Sequence, residues 1–485
     1  MEIERKKFHP SVMLVYFIRD LRNWIFLFFI LLVDMDDRGL YSIIGLSALV
    51  AFILMKSIVK YLTVTYDVSP EKIIVYRGIF KKRETEITYD RIQTIKQRQW
   101  FFFKPFNVVE VLIETASSSS EEAEASLTAV DYSLLEKIET YRNKTTVNVL
   151  EDRSQADRSD IRFRLTNKEI GLYALTDVTA IFVLGTIFTF ALEWLPDSLY
   201  AEIFSLLDYF EGILSILLPF IAITIIGALS LLKNYILFYN YQASLEDETL
   251  TIEYGLFERK IQKIPLEKIQ GIRLHKQIIR TLFQRSSVEL LIMGGQEKEG
   301  AGLNAGKVFL FPLIKNDSVY SQLTEFLPNI AIQEPQIQKV SKDKLWYFLR
   351  WTLLMGVLLV SAAFMVNRLV GVGLAFALII ALVTGWKKSR VQGYSVQASG
   401  ILCLQQFQGL STVQLFIARK NIQAFAQSTT VWLAKKELGH LKVSFKEGET
   451  PAEFKLLFIP QTDSTQIYDK FWNRAVSTTD SLEPL

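Results

Sequence analysis

Cysteine and histidine are nearly absent from this chain. One cysteine, Cys403, in 485 residues excludes an intrachain disulfide framework and any zinc site built from cysteines. It is expected to be a small buried residue of a strand. The three histidines, His9, His275 and His440, lie far apart and at no ligand spacing, so they read as ordinary surface or strand residues rather than metal ligands or bases. Charge of one sign is also missing. Lys and Arg number 54 against 51 Asp and Glu, and the net +3 is too small to argue for nucleic acid as a partner. No G-x-S-x-G, P-loop, H-E-x-x-H or GxGxxG is present. The Gly-rich "GQEKEGAG" lacks the Lys-Ser/Thr pair and the strand-to-helix setting of a phosphate cradle, and reads as a loop. No catalytic residue and no cofactor are expected, and the chain is not read as an enzyme. No secretory signal is visible: the charged start (Glu4, Arg5, Lys6, Lys7) leads to no apolar stretch with a small-residue cleavage site.

Apolar residues, by contrast, make up 50% of the chain, with a mean hydropathy of +0.22. They come in paired runs: Trp24 to Val33 and Leu40 to Met55, Val178 to Leu195 and Ile213 to Leu232, Leu345 to Val366 and Leu369 to Trp386. A helix spanning the hydrocarbon core needs about 20 such residues. The second and third pairs meet this, and the first run is short and must recruit its neighbours. Glu193 and Arg350 are the ionisable groups inside these runs. Both sit near an expected end, where the side chain reaches the interface, so a transport role is disfavoured. Lys and Arg flank the pairs on their outer sides (Arg19, Arg22, Lys56, Lys60, Lys233, Lys387, Lys388), while the hairpin turns are acidic or neutral, apart from Arg38 and Arg368. The positive-inside rule places both termini and everything between hairpins in the cytoplasm.

A β-rich stretch follows each hairpin, and the stretches repeat. "GIFKKRETEITYDRIQTI" (Gly78 to Ile95) aligns without a gap on "GLFERKIQKIPLEKIQGI" (Gly255 to Ile272), and "RKNIQAF" (Arg419 to Phe425) is a weaker third copy. Each copy runs on to an amphipathic helix with Asp131, Asn316 or Ser464 as the expected N-cap. Its apolar stripe is Leu134, Leu135 and Ile138, then Val319, Tyr320 and Leu323, then Ile467, Tyr468 and Phe471. The expected division is an N-terminal interfacial segment with the first hairpin (1–60), module 1 (61–145), a linker (146–168), the second hairpin (169–235), module 2 (236–330), a linker (331–344), the third hairpin (345–388), module 3 (389–475) and a tail (476–485).

Hairpin, β-module with Gly-[Ile/Leu]-Phe and Ile-Gln, closing helix, three times over: the arrangement resembles the bacterial pleckstrin-homology-like family whose domains are flanked by membrane segments. The resemblance covers nearly the whole chain. It implies a multi-pass α-helical membrane protein with three cytoplasmic α+β PH-like domains, each a bent, roughly seven-stranded antiparallel sheet or barrel capped by a C-terminal helix. It brings no catalytic residues. The functional expectation is an integral-membrane scaffold or binding protein at the cytoplasmic face of the bacterial plasma membrane, with a role in envelope stress protection. The alternative is an accessory subunit of a transport or export system. Expected partners are the bilayer, another membrane protein or a second copy, and anionic headgroups. The basic clusters Lys81, Lys82, Arg83 and Arg259, Lys260 are the candidate contacts. They read either as headgroup binders or as charges guarding a strand edge. "QWFFFKPF", with Trp100 and Phe101, reads either as sheet core or as a membrane-facing edge.

Overall fold

The structure is a computed structural model. It describes residues 5–33, 35–78, 82–115, 125–147, 161–177, 213–246, 248–292, 307–339, 343–447 and 450–471. The chain divides into two compact units, residues 1–264 with 297–305, and residues 265–296 with 306–485. The first helix and the turn of the second hairpin, including Glu193, lie outside the described residues.

The first unit begins with β1 (Lys6–Lys7), α1 (Val12–Asn23), α2 (Ile25–Val33) and α3 (Met35–Thr63). Helix α1 buries Val12, Val15, Tyr16 and Asp20 at helical spacing. Helix α2 ends at Val33 and α3 begins at Met35, so most of the acidic stretch expected as a turn belongs to α3 instead. Strands β2 (Thr65–Val68), β3 (Lys72–Arg77) and β4 (Arg83–Thr88) then complete an antiparallel sheet in the order β1-β2-β3-β4. Because Lys7 pairs with Thr65 and Lys6 with Tyr66, helices α1 to α3 are inserted between two neighbouring strands.

The chain continues through β5 (Ile92–Trp100), β6 (Val108–Thr115), β7 (Ala125–Asp131) and α4 (Tyr132–Val147). It then forms β8 (Ile161–Arg164), α5 (Asn167–Leu175), α6 (Ile213–Phe238), β9 (Gln242–Glu246), β10 (Thr249–Tyr254) and β11 (Glu258–Pro265). These make one antiparallel sheet of seven strands, β7-β6-β5-β11-β10-β9-β8.

The second unit repeats the plan with β12 (Ile269–Gln277), α7 (Ile278–Leu282), β13 (Arg285–Ile292), β14 (Val308–Lys315) and α8 (Val319–Phe326). β15 (Gln338–Lys339), α9 (Leu345–Val366), α10 (Arg368–Val391), β16 (Gly393–Val396), β17 (Ile401–Gln408) and β18 (Ser411–Ala418) follow. Their sheet runs β14-β13-β12-β18-β17-β16-β15. β19 (Ile422–Ser428), α11 (Val431–Ala434), β20 (Leu438–Glu447), β21 (Thr450–Pro460) and α12 (Gln461–Phe471) end the chain with the sheet β19-β20-β21.

Three expectations change. Residues 146–168 and 331–344 are not wholly linkers: they hold β8 and β15, which pair with β9 and β16, strands that lie beyond the intervening apolar segments. In β8, Ile161 and Phe163 alternate with arginines, the pattern of a half-buried strand. Helix α12 starts at Gln461, so Ser464 lies inside it, with its hydroxyl donating to the Gln461 carbonyl at 2.9 Å. Finally, each repeat does supply seven strands, but the seven that hydrogen-bond come from neighbouring repeats. A single 3-10 turn (Tyr89–Arg91, Leu266–Lys268, Arg419–Asn421) ends the fourth strand of each repeat and sends the chain into the next sheet. The Ile of each Ile-Gln pair follows that turn directly and is buried. The remaining core of the first repeat gathers Phe8, Tyr66, Ile73, Val75, Ile95, Phe103, Val111, Leu135 and Ile138, so α4 closes its sheets as the stripe required.

Among the described residues three helical stretches are long and apolar enough to cross a membrane: Gly39–Thr63, Leu345–Val366 and Val370–Val391. Arg350, one turn into α9, rests its guanidinium 5.1 Å from the Tyr347 ring and 6.0 Å from Trp351. That suits a cation held among interfacial aromatics.

Candidate functional site

The motif strand β5 alternates polar residues that a solvated strand would expose. Lys96, Gln97, Arg98 and Gln99 are instead buried, because β11 and β6 cover both edges of β5 and α1 crosses nearby. Burying Arg98 demands partners. Its guanidinium lies 2.7 Å from Glu258 on β11 and 3.9 Å from Glu110 on β6. Glu110 is fully buried. It accepts from Arg19 of α1 at 2.6 Å and from the Ser126 hydroxyl at 3.1 Å. Burial alone would raise its carboxyl, but the Arg19 and Arg98 charges and these hydrogen bonds outweigh it and hold the group below the usual range.

Above this buried carboxylate opens a small cleft of about 60 Å³, lined by Ile18, Arg19, Arg22, Arg98, Trp100, Glu258 and Lys260. Four cations face it, and the carboxylates of Glu258 and Glu110 offset two. Arg22 is exposed and makes no ion pair among the described residues. The Trp100 indole Nε1 is buried without a hydrogen-bond partner. The cleft therefore presents convergent donors to an anion about the size of a phosphate group. It adjoins Arg22 near the end of α1, which leads directly into apolar α2.

Of the nominated residues that are described, the structure brings Trp100 and Lys260 together at this cleft. Arg259 points to the opposite face of β11 and pairs with Glu253 at 2.6 Å. Neither it nor Lys260 guards an open edge, since β11 is paired with β5. Lys82 and Arg83 are exposed beside and on β4, in a different sheet, and Lys81 lies outside the described residues. Phe101 is 56% exposed and meets the exposed Phe257 edge-on at 6.1 Å. Phe103, two residues on, is fully buried, so the aromatic stretch is both core and surface. Sequence reading missed Arg19, Arg22 and Arg98. The first two carried a signal, one turn apart on a helix before a membrane run, but were read only as orienting charges.

The exposed aromatic tip recurs. The equivalent connections in the other repeats expose Leu282 and Phe283, then Val431 and Trp432. In the first repeat Phe106 of this tip packs on His9, just before α1, at 4.9 Å. Among the described residues no cluster of His, Cys, Asp and Glu could hold a metal. Cys403 is buried in β17 and its thiol is pushed up to about 12 by that burial.

The second repeat places Ser287 where the first has Glu110 and buries a different glutamate two residues on, without a basic cleft of this kind among its described residues. Glu289 on β13 accepts from His275 at 2.6 Å and from Arg273 at 3.3 Å, and Arg273 also forks onto Glu447 at 2.9 and 2.8 Å. Burial lowers the His275 pKa despite Glu289. Burial would raise Glu289, but His275 and Arg273 bring it down to about 2. The linkage has one sign. The unfolded chain takes a proton on His275 near pH 6.5 and on Glu289 near 4.5, and the folded chain takes each at lower pH. Stability should therefore fall as pH drops below about 6.5, and again below about 4.5. In detergent the melting temperature is expected to fall between pH 7 and 5, with a shallower slope in His275→Asn. Equal slopes would exclude His275 as a contributor.

Comparison with known proteins agrees with this architecture. The family described as Bacterial PH domain matches residues 25–145 and 180–313. The chain belongs to that family, a class of membrane protein here built from repeated PH-like modules. It is 25% identical over 496 aligned residues to the UPF0699 transmembrane protein YdbT of Bacillus subtilis (strain 168), covering 96% of this chain and 98% of the relative.

Proposed function

We propose that this is a multi-pass plasma-membrane protein whose PH-like modules and termini lie on the cytoplasmic side, and that its basic cleft seats the phosphate of an anionic lipid headgroup. The observation that carries the reading is the convergence of Arg19, Arg22, Arg98 and Lys260 with the Trp100 indole at the foot of the first hairpin. The flanking aromatic tips, Phe101 and Phe106, suit insertion at the headgroup level, where amphipathic rings concentrate. Since the hairpins already anchor the chain, headgroup contacts would fix the orientation of the modules and so the surface they offer to a partner. That makes a scaffold the function best supported.

The test is lipid retention by the full chain in nanodiscs of neutral phosphatidylcholine with increasing phosphatidylglycerol, read by native mass spectrometry. Each cation near the surface contributes about 1 kcal/mol. Arg22→Ala with Lys260→Ala should therefore weaken retention of the anionic lipid roughly 30-fold, with phosphatidylcholine unaffected. Equal retention of both lipids by the unmodified chain, or no change in the double variant, would refute the cleft as a headgroup site.

A further inference from the structure

Both internal seams join the same two strands. β5 pairs with β11, placing Trp100 opposite Glu258 and Arg98 opposite Lys260. β12 pairs with β18, placing Gln277 opposite Ser411 and His275 opposite Val413. Under the alignment that superposes the three Ile-Gln pairs, Trp100 is equivalent to Gln277 and Glu258 to Ser411, so the two seams have one register. Each joins the fifth strand of one repeat to the fourth strand of the next.

Three repeats offer three of each strand, and two seams use two of each. What remains is the fourth strand of the first repeat, β4, and the fifth strand of the third, β19. Each ends its own sheet, and among the described residues no strand lies beyond either. The consequence for burial is visible. β5 buries the polar residues from Thr94 to Gln99, whereas in β19 Gln423, Ala424, Ala426, Gln427 and Ser428 are exposed. β4 likewise exposes Arg83, Glu84 and Glu86. Natural sheets guard a free edge with charge, proline or a bulge directed against pairing. From Ile422 to Thr430 the chain has no charged residue, no proline and no glycine, and its one register irregularity, at Ile422/Ala424, recurs at the start of β5 and β12, which are both paired on this side. That edge is built to be covered.

We infer that β19 of one copy pairs with β4 of a second copy, so that the protein assembles head to tail through the seam it already uses twice internally. The joint sheet would run β21-β20-β19-β4-β3-β2-β1, seven antiparallel strands like the other two. The shared register fixes the contacts: Ser428 opposite Arg83 of the second copy, Gln427 opposite Glu84, Ala426 opposite Thr85, Phe425 opposite Glu86. The neutral β19 puts no like charge against the mixed charges of β4. Such an interface is heterologous, and it extends as a row or closes as a ring. Copies in one membrane share one orientation, as this pairing requires. The inference is independent of headgroup binding by the cleft.

The test uses full-length chains in their native membrane, with Cys403→Ala as background. One chain carries Thr85→Cys, a second, differently tagged, carries Ala426→Cys, and the two are co-expressed and mildly oxidised. An intermolecular disulfide is expected for Thr85 with Ala426. Little is expected for Glu86 with Ala426, which a one-residue shift places on opposite faces of the sheet. The unmodified chain, cross-linked through lysines, should give a ladder of two or more copies. Absence of the disulfide with a single-copy chain, preference for the Glu86 pair, or cross-linking of either cysteine only to a different protein would each overturn the assembly.

Discussion

Glu110→Ala should destabilise the first unit by about 3–5 kcal/mol, the range expected when one partner of a buried charge pair is removed. Glu110 is fully buried, with Arg19 at 2.6 Å and Arg98 at 3.9 Å, and Arg98 is itself buried. Without the carboxylate, Arg19 and the buried Arg98 both lose the charge that they share, while Arg98 keeps Glu258 at 2.7 Å. Denaturant unfolding of the purified chain measures the loss. The parallel variant in the second repeat is an internal control. Glu289→Ala removes a carboxylate of similar burial, but Arg273 keeps its two bonds to Glu447 and His275 is already neutral. Its effect should be smaller by at least 1 kcal/mol, since no unpaired buried charge is left. Equal losses, or a Glu110→Ala change within about 0.5 kcal/mol, would mean that the ion cluster beneath the cleft does not hold it together.

Gly255→Ala is expected to be nearly as damaging, about 2–4 kcal/mol. Gly255 has φ +113°, and a Cβ there would sit 2.1 Å from the Glu258 carbonyl oxygen. The backbone has little freedom to move away, because Gly255 N–H donates to Tyr239 at 2.9 Å and Leu256 N–H to Ile236 at 3.0 Å, at the end of α6. The turn thus ties the sheet to the apolar helix α6. Gly409→Ala is the contrast: φ is +59° and the space around it is open, so only the left-handed backbone is penalised, by about 1–2 kcal/mol. Similar melting temperatures for the two variants would contradict this account of the motif glycine.

That glycine also shows what sequence reading reaches. Gly78 and Gly255 align in the repeats, and both adopt positive φ, 106° and 113°. The repeat, three long apolar helices, the closing helices and the buried Cys403 were legible because each leaves a local or periodic mark. The strand exchange between repeats left none. Pairing β5 with β11 rather than β4 is a choice between two strands at equivalent places in the repeat, both polar and charged, and their hydrophobic pattern does not say which is taken. β8 and β15 were missed because strands of four and two residues before a helix hardly differ in composition from a polar linker. The cleft was half legible. Trp100 and Lys260 belong to conspicuous clusters, but Arg19 and Arg22 come from a helix, α1, far from both in sequence. Only the folded sheet brings them together with Arg98. Arg259, next to Lys260, was nominated with it and lost because adjacent strand residues face opposite ways.

The central claim, that the modules and their cleft lie on the cytoplasmic side, is tested most directly by labelling single cysteines with a membrane-impermeant thiol reagent. Lys82→Cys marks the exposed surface of the first module, and Asp37→Cys marks the junction of α2 and α3, both in a Cys403→Ala chain. The account predicts that intact cells label Asp37→Cys at once and Lys82→Cys only after permeabilisation. Labelling of Lys82→Cys in intact cells would contradict it.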